Sequence, residues 1–97
     1  MIQSFRNTGT ENVFDGVNSK VARKLLPRNL WKVAFRKLDQ LDSVERITDL
    51  RIPPSNQFEA LKGDRRGQYS IRINRQYRIC FSWTEIGPVD VEIVDYH

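Results

Sequence analysis

Between Pro27 and Val44 the apolar residues of this chain recur at helical spacing, whereas from Tyr69 onward they fall on alternate positions. That change of period, from 3.6 to 2, is what most constrains the fold. Leu30, Val33, Ala34, Leu38, Leu41 and Val44 make one stripe of a helix running from about Pro27 to Ser43. Trp31 and Phe35 widen that stripe, while Lys32, Arg36, Lys37 and Asp39 fall elsewhere. Pro27 suits a first helical position, where its missing N–H costs nothing. A second short helical turn is expected over Val44 to Leu50, before Pro53-Pro54-Ser55-Asn56 breaks the pattern.

In the last third, Tyr69, Ile71 and Ile73 alternate with Ser70 and Arg72. Tyr77, Ile79, Phe81 and Trp83 alternate with Arg78, Cys80 and Ser82, and Val89, Val91 and Ile93 with Asp90 and Glu92. This predicts a meander whose strands each bury one face, with turns at Asn74-Arg75 and Glu85-Ile86-Gly87-Pro88. Helices first and a meander afterwards give an α+β fold with the helices on one face of the sheet.

The N-terminal third says less. Ile2 and Ser4 alternate with Gln3 and Phe5, a weak signal for a first strand over Met1 to Phe5. Thr10 is placed to cap a short helix carrying Val13, Phe14 and Val17, which Gly16 and Asn18 would end. Lys20 to Leu26 reads equally as a basic loop or a helical turn.

Strand register follows from the rule that apolar residues face apolar residues across an antiparallel pair. A tight turn at Asn74-Arg75 alone would set Ile71 against Arg78 and mix the faces. Including Gln76 in the connection pairs Ile73 with Tyr77, Ile71 with Ile79 and Tyr69 with Phe81. In the next hairpin, Trp83 opposite Val89 sets Phe81 against Val91 and Ile79 against Ile93. The other face then carries Arg72 directly across from Arg78, with Val94 beside Arg78 and Tyr96 diagonal to it. Two opposed arginines fit an anion held between or near them; a solvated face that tolerates arginine fits as well.

A chain of 97 residues makes a single domain, 1–97. Sixteen Lys and Arg against 12 Asp and Glu leave a net charge of +4. That favours an acidic partner without choosing among nucleic acid, membrane and protein. The one cysteine, Cys80, allows no internal disulfide and no thiolate zinc site, and it reads as a small filler. The N-terminus lacks the apolar stretch of a signal peptide, and no run approaches a bilayer-spanning length. The expected setting is cytoplasmic, with no membrane partner, no cofactor and no metal.

Cutting RNA without a metal needs a base for the 2′-hydroxyl, cations for the phosphorane and an acid for the leaving oxygen. It also needs a grip on the nucleotide, usually a stacked ring. Lys62, Arg65, Arg66, Arg72 and Arg78 offer cations, and Tyr96 or Tyr69 a ring. His97, the only histidine, could move a proton near neutral pH. Asp95 or Glu59 could supply the paired carboxylate. Each has a plainer reading: Lys62 to Gly67 as a solvated turn, Tyr69 as core, His97 as a frayed terminus, and Asp95 as a residue at the sheet edge.

The stretch Phe58 to Trp83, FEALKGDRRGQYSIRINRQYRICFSW, together with the ending VEIVDYH, resembles the HigB-like plasmid-maintenance toxins of the RelE-like superfamily. The resemblance rests on the Leu-Lys-Gly-Asp-Arg turn (Leu61 to Arg65), the strands Tyr69 to Asn74 and Tyr77 to Phe81, and the closing Asp95-Tyr96-His97. It implies a RelE-like fold, with N-terminal helices on one face of a twisted antiparallel sheet of about three to five strands. It also implies a toxin of a type II toxin–antitoxin system, an endoribonuclease that cleaves mRNA in the ribosomal A site and inhibits translation. The implied partners are the ribosome with its mRNA and a helix-turn-helix antitoxin of the HigA type, with operator DNA reached only through that antitoxin.

Position by position, Lys62 and Arg78 match residues that contact the scissile phosphate. Asp95, Tyr96 and His97 match the terminal catalytic segment. Arg65, Arg66, Arg72 and Asn74 are the expected further contacts to RNA or ribosome. The chain departs from the family where some members carry a histidine three residues before the lysine, because that position is Glu59. A general base there, or a partner for a nearby arginine, both remain open. The competing functions are a non-catalytic toxin on the same fold, of the ParE-like gyrase-poisoning kind, and a ribosome- or RNA-binding module without chemistry.

Overall fold

The computed structural model describes residues 1–96, so His97 lies outside the described residues. Three α-helices come first: α1 (Thr8–Asp15), α2 (Lys20–Leu25) and α3 (Trp31–Ser43). Short 3₁₀ turns follow at Ile47–Arg51 and Pro54–Asn56. Four strands close the chain: β1 (Glu59–Ala60), β2 (Tyr69–Arg72), β3 (Tyr77–Thr84) and β4 (Gly87–Asp95). They form one antiparallel sheet in the order β1-β2-β3-β4. The α+β architecture expected from the change of period is the one observed.

Local signals explain most boundaries. Asn7 caps α1, its side chain accepting from Thr10 N at 2.8 Å, and Gly16 ends the helix in the left-handed conformation. Thr10 is therefore not the cap. It is fully buried, and its hydroxyl accepts from Ile93 N at 3.0 Å, tying α1 to β4. Ser19 caps α2, which settles the ambiguous Lys20 to Leu26 segment as helix. Pro27 precedes a 3₁₀ turn at Arg28–Leu30, and the α-helix proper starts at Trp31. Trp31 Nε1 donates to Leu26 O at 2.8 Å and so fixes the entry angle.

The core lies between the helices and the sheet face carrying Ile71, Ile79 and Ile93, with Leu38, Leu41 and Leu26 opposite them. Two positions on α3 differ from the expected stripe. Phe35 is 45% exposed and stacks on Phe14, while Lys37 is buried. Lys37 is accommodated because its Nζ bonds to Asn56 Oδ1. Asn56, itself fully buried, also donates to Gln40 Oε1 and Leu50 O, both at 3.0 Å. One side chain thus ties α3 to both 3₁₀ turns.

The β2–β3 register is the expected one: Tyr69 pairs with Phe81, Ile71 with Ile79 and Arg72 with Arg78. The Asn74 side chain holds the turn, accepting from Gln76 N at 2.9 Å and Tyr77 N at 2.8 Å. In the next hairpin Ile79 pairs with Ile93 as expected, but Trp83 pairs with Pro88 and Ser82 with Val89. The cause is a bulge: two steps along β3, from Cys80 to Ser82, answer three along β4, from Glu92 to Val89. Asp90 sits there at φ 53°, the unpaired extra residue of such a bulge. Its N–H donates instead to Ser4 Oγ at 2.9 Å.

The first residues form no strand of their own. Phe5 makes an isolated parallel bridge to Val91, and Gln3 N donates to Pro88 O at 2.8 Å. This segment passes so close to Gly87 that a Cβ there would overlap the Met1 carbonyl oxygen.

Replacing Asn56 by Ala strips the Lys37 ammonium and the Leu50 carbonyl of a buried partner, with an expected loss of about 2–3 kcal/mol. Urea denaturation would show a lower midpoint at unchanged slope.

Candidate nucleic-acid site

The sheet face turned away from the helices carries Glu59, Ser70, Arg72, Arg78, Cys80, Glu92 and Val94, because paired residues share a face. Arg78 is its centre. Its side chain is 9% exposed, with Nε donating to Ser70 Oγ at 2.7 Å and a terminal nitrogen to Gln57 O at 2.6 Å. Glu59, 51% exposed, lies 3.6 Å from the same terminal nitrogen. A guanidinium fixed at two points keeps its direction without a ligand.

Tyr96 completes this group. Its N–H donates to Gln76 O at 2.6 Å, extending the ladder past β4, and the Arg78 guanidinium carbon lies 5.7 Å from the ring centre. That is within cation–π range. The ring is 41% exposed and can accept a second flat group. The structure therefore brings together Arg78, Tyr96 and Glu59. Ser70 and Gln57, which orient Arg78, were not singled out in the sequence. Ser70 could have been found as the cross-strand diagonal of Arg78, but nothing in the sequence marks a backbone carbonyl such as that of Gln57.

The other expected site residues make different contacts. Asp95 pairs with Tyr77, on the opposite parity from Arg78, and accepts from Gln76 Nε2 at 3.1 Å. Lys62 is exposed and borders a shallow pocket with Leu61, Gly63 and Arg66. Arg65 is engaged within the fold, bonding Glu92 at 2.8 Å and Gln68 at 3.0 Å. The Glu92 hydrogen bond holds the Arg65 guanidinium above its ordinary range. Arg6 approaches the same carboxylate at 3.8 Å. Arg72 donates to Asn74 O at 3.0 Å, and the Asn74 side chain serves the turn. His97 lies outside the described residues.

Cys80 lies under this face, fully buried between Ser70 and Glu92. Burial, first of all, pushes its thiol above the ordinary cysteine range, although Arg65 and Arg78 pull the other way. It is the filler that the sequence suggested.

The family model described as the RelE-like toxin HigB of type II toxin–antitoxin systems matches residues 3–97, and the chain belongs to that HigB-like family. Toxin HigB-1 of Vibrio cholerae is 47% identical over 62 residues, covering 64% of this chain and 65% of that protein, just under two thirds of its length. An uncharacterized protein of Haemophilus influenzae is 47% identical over 72 residues, 74% of this chain and 70% of its own. A YoeB/ParE toxin from Agrobacterium tumefaciens overlays with a TM-score of 0.48 at 17% identity, covering 98% of both chains; that likeness is too loose to carry an argument. Among the described residues no helix is long and apolar enough to cross a membrane.

A thiol reagent at mildly alkaline pH should leave native Cys80 unmodified for as long as the fold holds, since the thiolate is both disfavoured and shielded. Labelling followed by absorbance, with and without urea, checks this; prompt reaction of the native protein would contradict the burial.

Proposed function

We propose that this toxin is a ribosome-dependent endoribonuclease that cuts mRNA in the ribosomal A site and so stops translation. The observation that carries this reading is the Arg78–Tyr96 pair: a cation fixed by two hydrogen bonds beside a half-exposed ring. A phosphate needs the first and its base or ribose the second.

The chemistry follows from those positions. The scissile phosphate takes the edge of Arg78 that Glu59 occupies in the free protein, and the guanidinium stabilises the charge that builds on the phosphorane. Tyr96 stacks on a neighbouring base and holds the 2′-oxygen in line with the leaving 5′-oxygen. Glu59, displaced but adjacent, accepts the proton of the attacking 2′-hydroxyl. The attack gives a 2′,3′-cyclic phosphate, and the leaving oxygen takes a proton from the terminal segment, where His97 is the available acid. Lys62 and Arg66, both exposed, supply further positive charge to the transcript. Asp95 orients the terminal segment through the edge of the sheet. Inhibition is by a helix-turn-helix antitoxin of the HigA type, through which operator DNA is also reached, and the setting is the cytoplasm.

Purified toxin with translating ribosomes should cleave mRNA within the A-site codon. Arg78→Ala should lower the rate about 10²–10³-fold, the usual worth of one oxyanion-stabilising group. Tyr96→Ala should also lose activity, whereas Tyr96→Phe keeps it if the ring acts by stacking. Intact mRNA with wild-type toxin, alongside induction of the DNA-damage response in poisoned cells, would instead mark a gyrase poison.

Glu59→Gln separates base from counterion. As a base, Glu59 is worth about 10²–10⁴-fold, and its loss lowers the single-turnover cleavage rate by that factor. Unchanged or increased cleavage by Glu59→Gln would reduce Glu59 to a partner of Arg78.

A further inference from the structure

Where α3 meets the β2–β3 turn, four cations converge on one open cleft of about 400 Å³. Arg36 and Lys37 come from α3, Arg72 from the end of β2 and Arg75 from the turn, and no aspartate or glutamate lines it. Resting on the nuclease reading above, we propose that this cleft is a second phosphate subsite, holding the RNA phosphodiester next to the one engaged by Arg78.

The charges are the first reason. The ion pairs among the described residues involve Arg6, Arg65 and Arg78, and none reaches the cleft. Convergent like charges with no carboxylate between them are unfavourable unless an anion sits there. Lys37 makes the point sharply. Its ammonium is nearly buried and bonds Asn56, yet an ammonium has three hydrogens to donate. Burial first, and Arg36 second, hold Lys37 below the ordinary lysine range, and an anion in the cleft opposes that shift by favouring the charged ammonium.

Position is the second reason. Arg72 faces Arg78 directly across the β2–β3 ladder, and Cα atoms so paired lie about 4.5–5.5 Å apart. Gln57 belongs to both places: it lines the cleft, and its carbonyl oxygen accepts from Arg78. A strand whose scissile phosphate sits at Arg78 therefore meets Arg72, a cation of the cleft, as the neighbouring arginine on the ladder. The cleft has no aromatic ring among its lining residues on which a base could stack, so its chemistry selects phosphate. An acidic peptide would satisfy the charge but has no reason to continue into Arg78.

The test measures binding, not cutting. A short RNA with 2′-O-methyl riboses, which cannot attack their own phosphates, is titrated by fluorescence anisotropy across a range of salt. Arg36→Ala/Arg75→Ala removes two exposed cations from the cleft without touching the Lys37–Asn56 tie. Its affinity should fall about tenfold or more. The slope of log affinity against log salt should shrink by about 0.7 for the one phosphate released. Lys20→Ala/Lys24→Ala, an equal loss of charge on α2, should leave the affinity within about twofold of wild type.

Wild-type affinity and slope in the cleft variant would overturn the proposal, and so would an equal loss in the α2 variant, which would reduce the effect to net charge. Unchanged RNA binding with a weakened antitoxin complex would assign the cleft to an acidic peptide instead. Inorganic phosphate binding as tightly as the oligonucleotide would make it a free-anion site. If wild-type toxin failed to cut mRNA on the ribosome, the nuclease reading would fall, while the anisotropy result would still decide whether the cleft holds RNA phosphate.

Discussion

The open face of this protein depends on one buried guanidinium. Desolvating Arg78 is costly unless every direction of the fork finds an acceptor. Ser70 on β2 accepts from Nε, and the Gln57 carbonyl before β1 and Glu59 on β1 meet one terminal nitrogen. All three lie on the side of β3 away from β4, so the arginine needs β1 and β2 in register to be held at all. Tyr96, beyond β4, then closes the other side. Strand register and site geometry are thus one constraint: a slip by one residue would turn Arg78 into the core and Ile79 onto the open face.

That dependence explains what the sequence alone could show. Alternation in Tyr69 to Ile73 and Tyr77 to Trp83, with the demand that isoleucine face isoleucine, was enough to place Arg72 opposite Arg78 and Tyr96 beside it, and the structure has both. The second hairpin was legible only near Ile79 and Ile93. The bulge at Asp90 depends on the N-terminal segment, whose Ser4 takes the freed N–H, and no local pattern announces a contact between residues 86 positions apart. Strand β1 is too short to show a period. Thr10 looked like a helix cap because threonine caps helices; its hydroxyl is instead spent on β4, a tertiary bond that outweighs the local preference.

Lys37 departs from its local pattern for a related reason. Lysine on a helix is ordinarily solvated, and Lys37 falls outside the apolar stripe of α3, yet it is buried. What keeps it there is Asn56, from a segment that reads as a Pro-rich break. The Pro53 to Asn56 segment does end the helical pattern, and it also delivers the fully buried side chain that fastens α3 to the loop leading into β1. A break in periodicity locates a loop; it does not reveal which loop residue turns inward.

The positive charges therefore divide by what the fold asks of them. Arg65 is committed to Glu92, and Arg78 is anchored on Ser70 and the Gln57 carbonyl with Glu59 at its outer edge. Arg36, Lys37, Arg72 and Arg75 crowd one cleft without a carboxylate. Gln57 lies between these last two groups, in the left-handed conformation at φ 43°. That turn lets its carbonyl face Arg78 while the residue still borders the cleft. If the chain were merely basic, its surplus cations would spread over the surface, where mutual repulsion is least. Four of the 16 lysines and arginines instead gather in a cleft that Gln57 shares with the anchored Arg78, an arrangement suited to a polyanion crossing from one to the other.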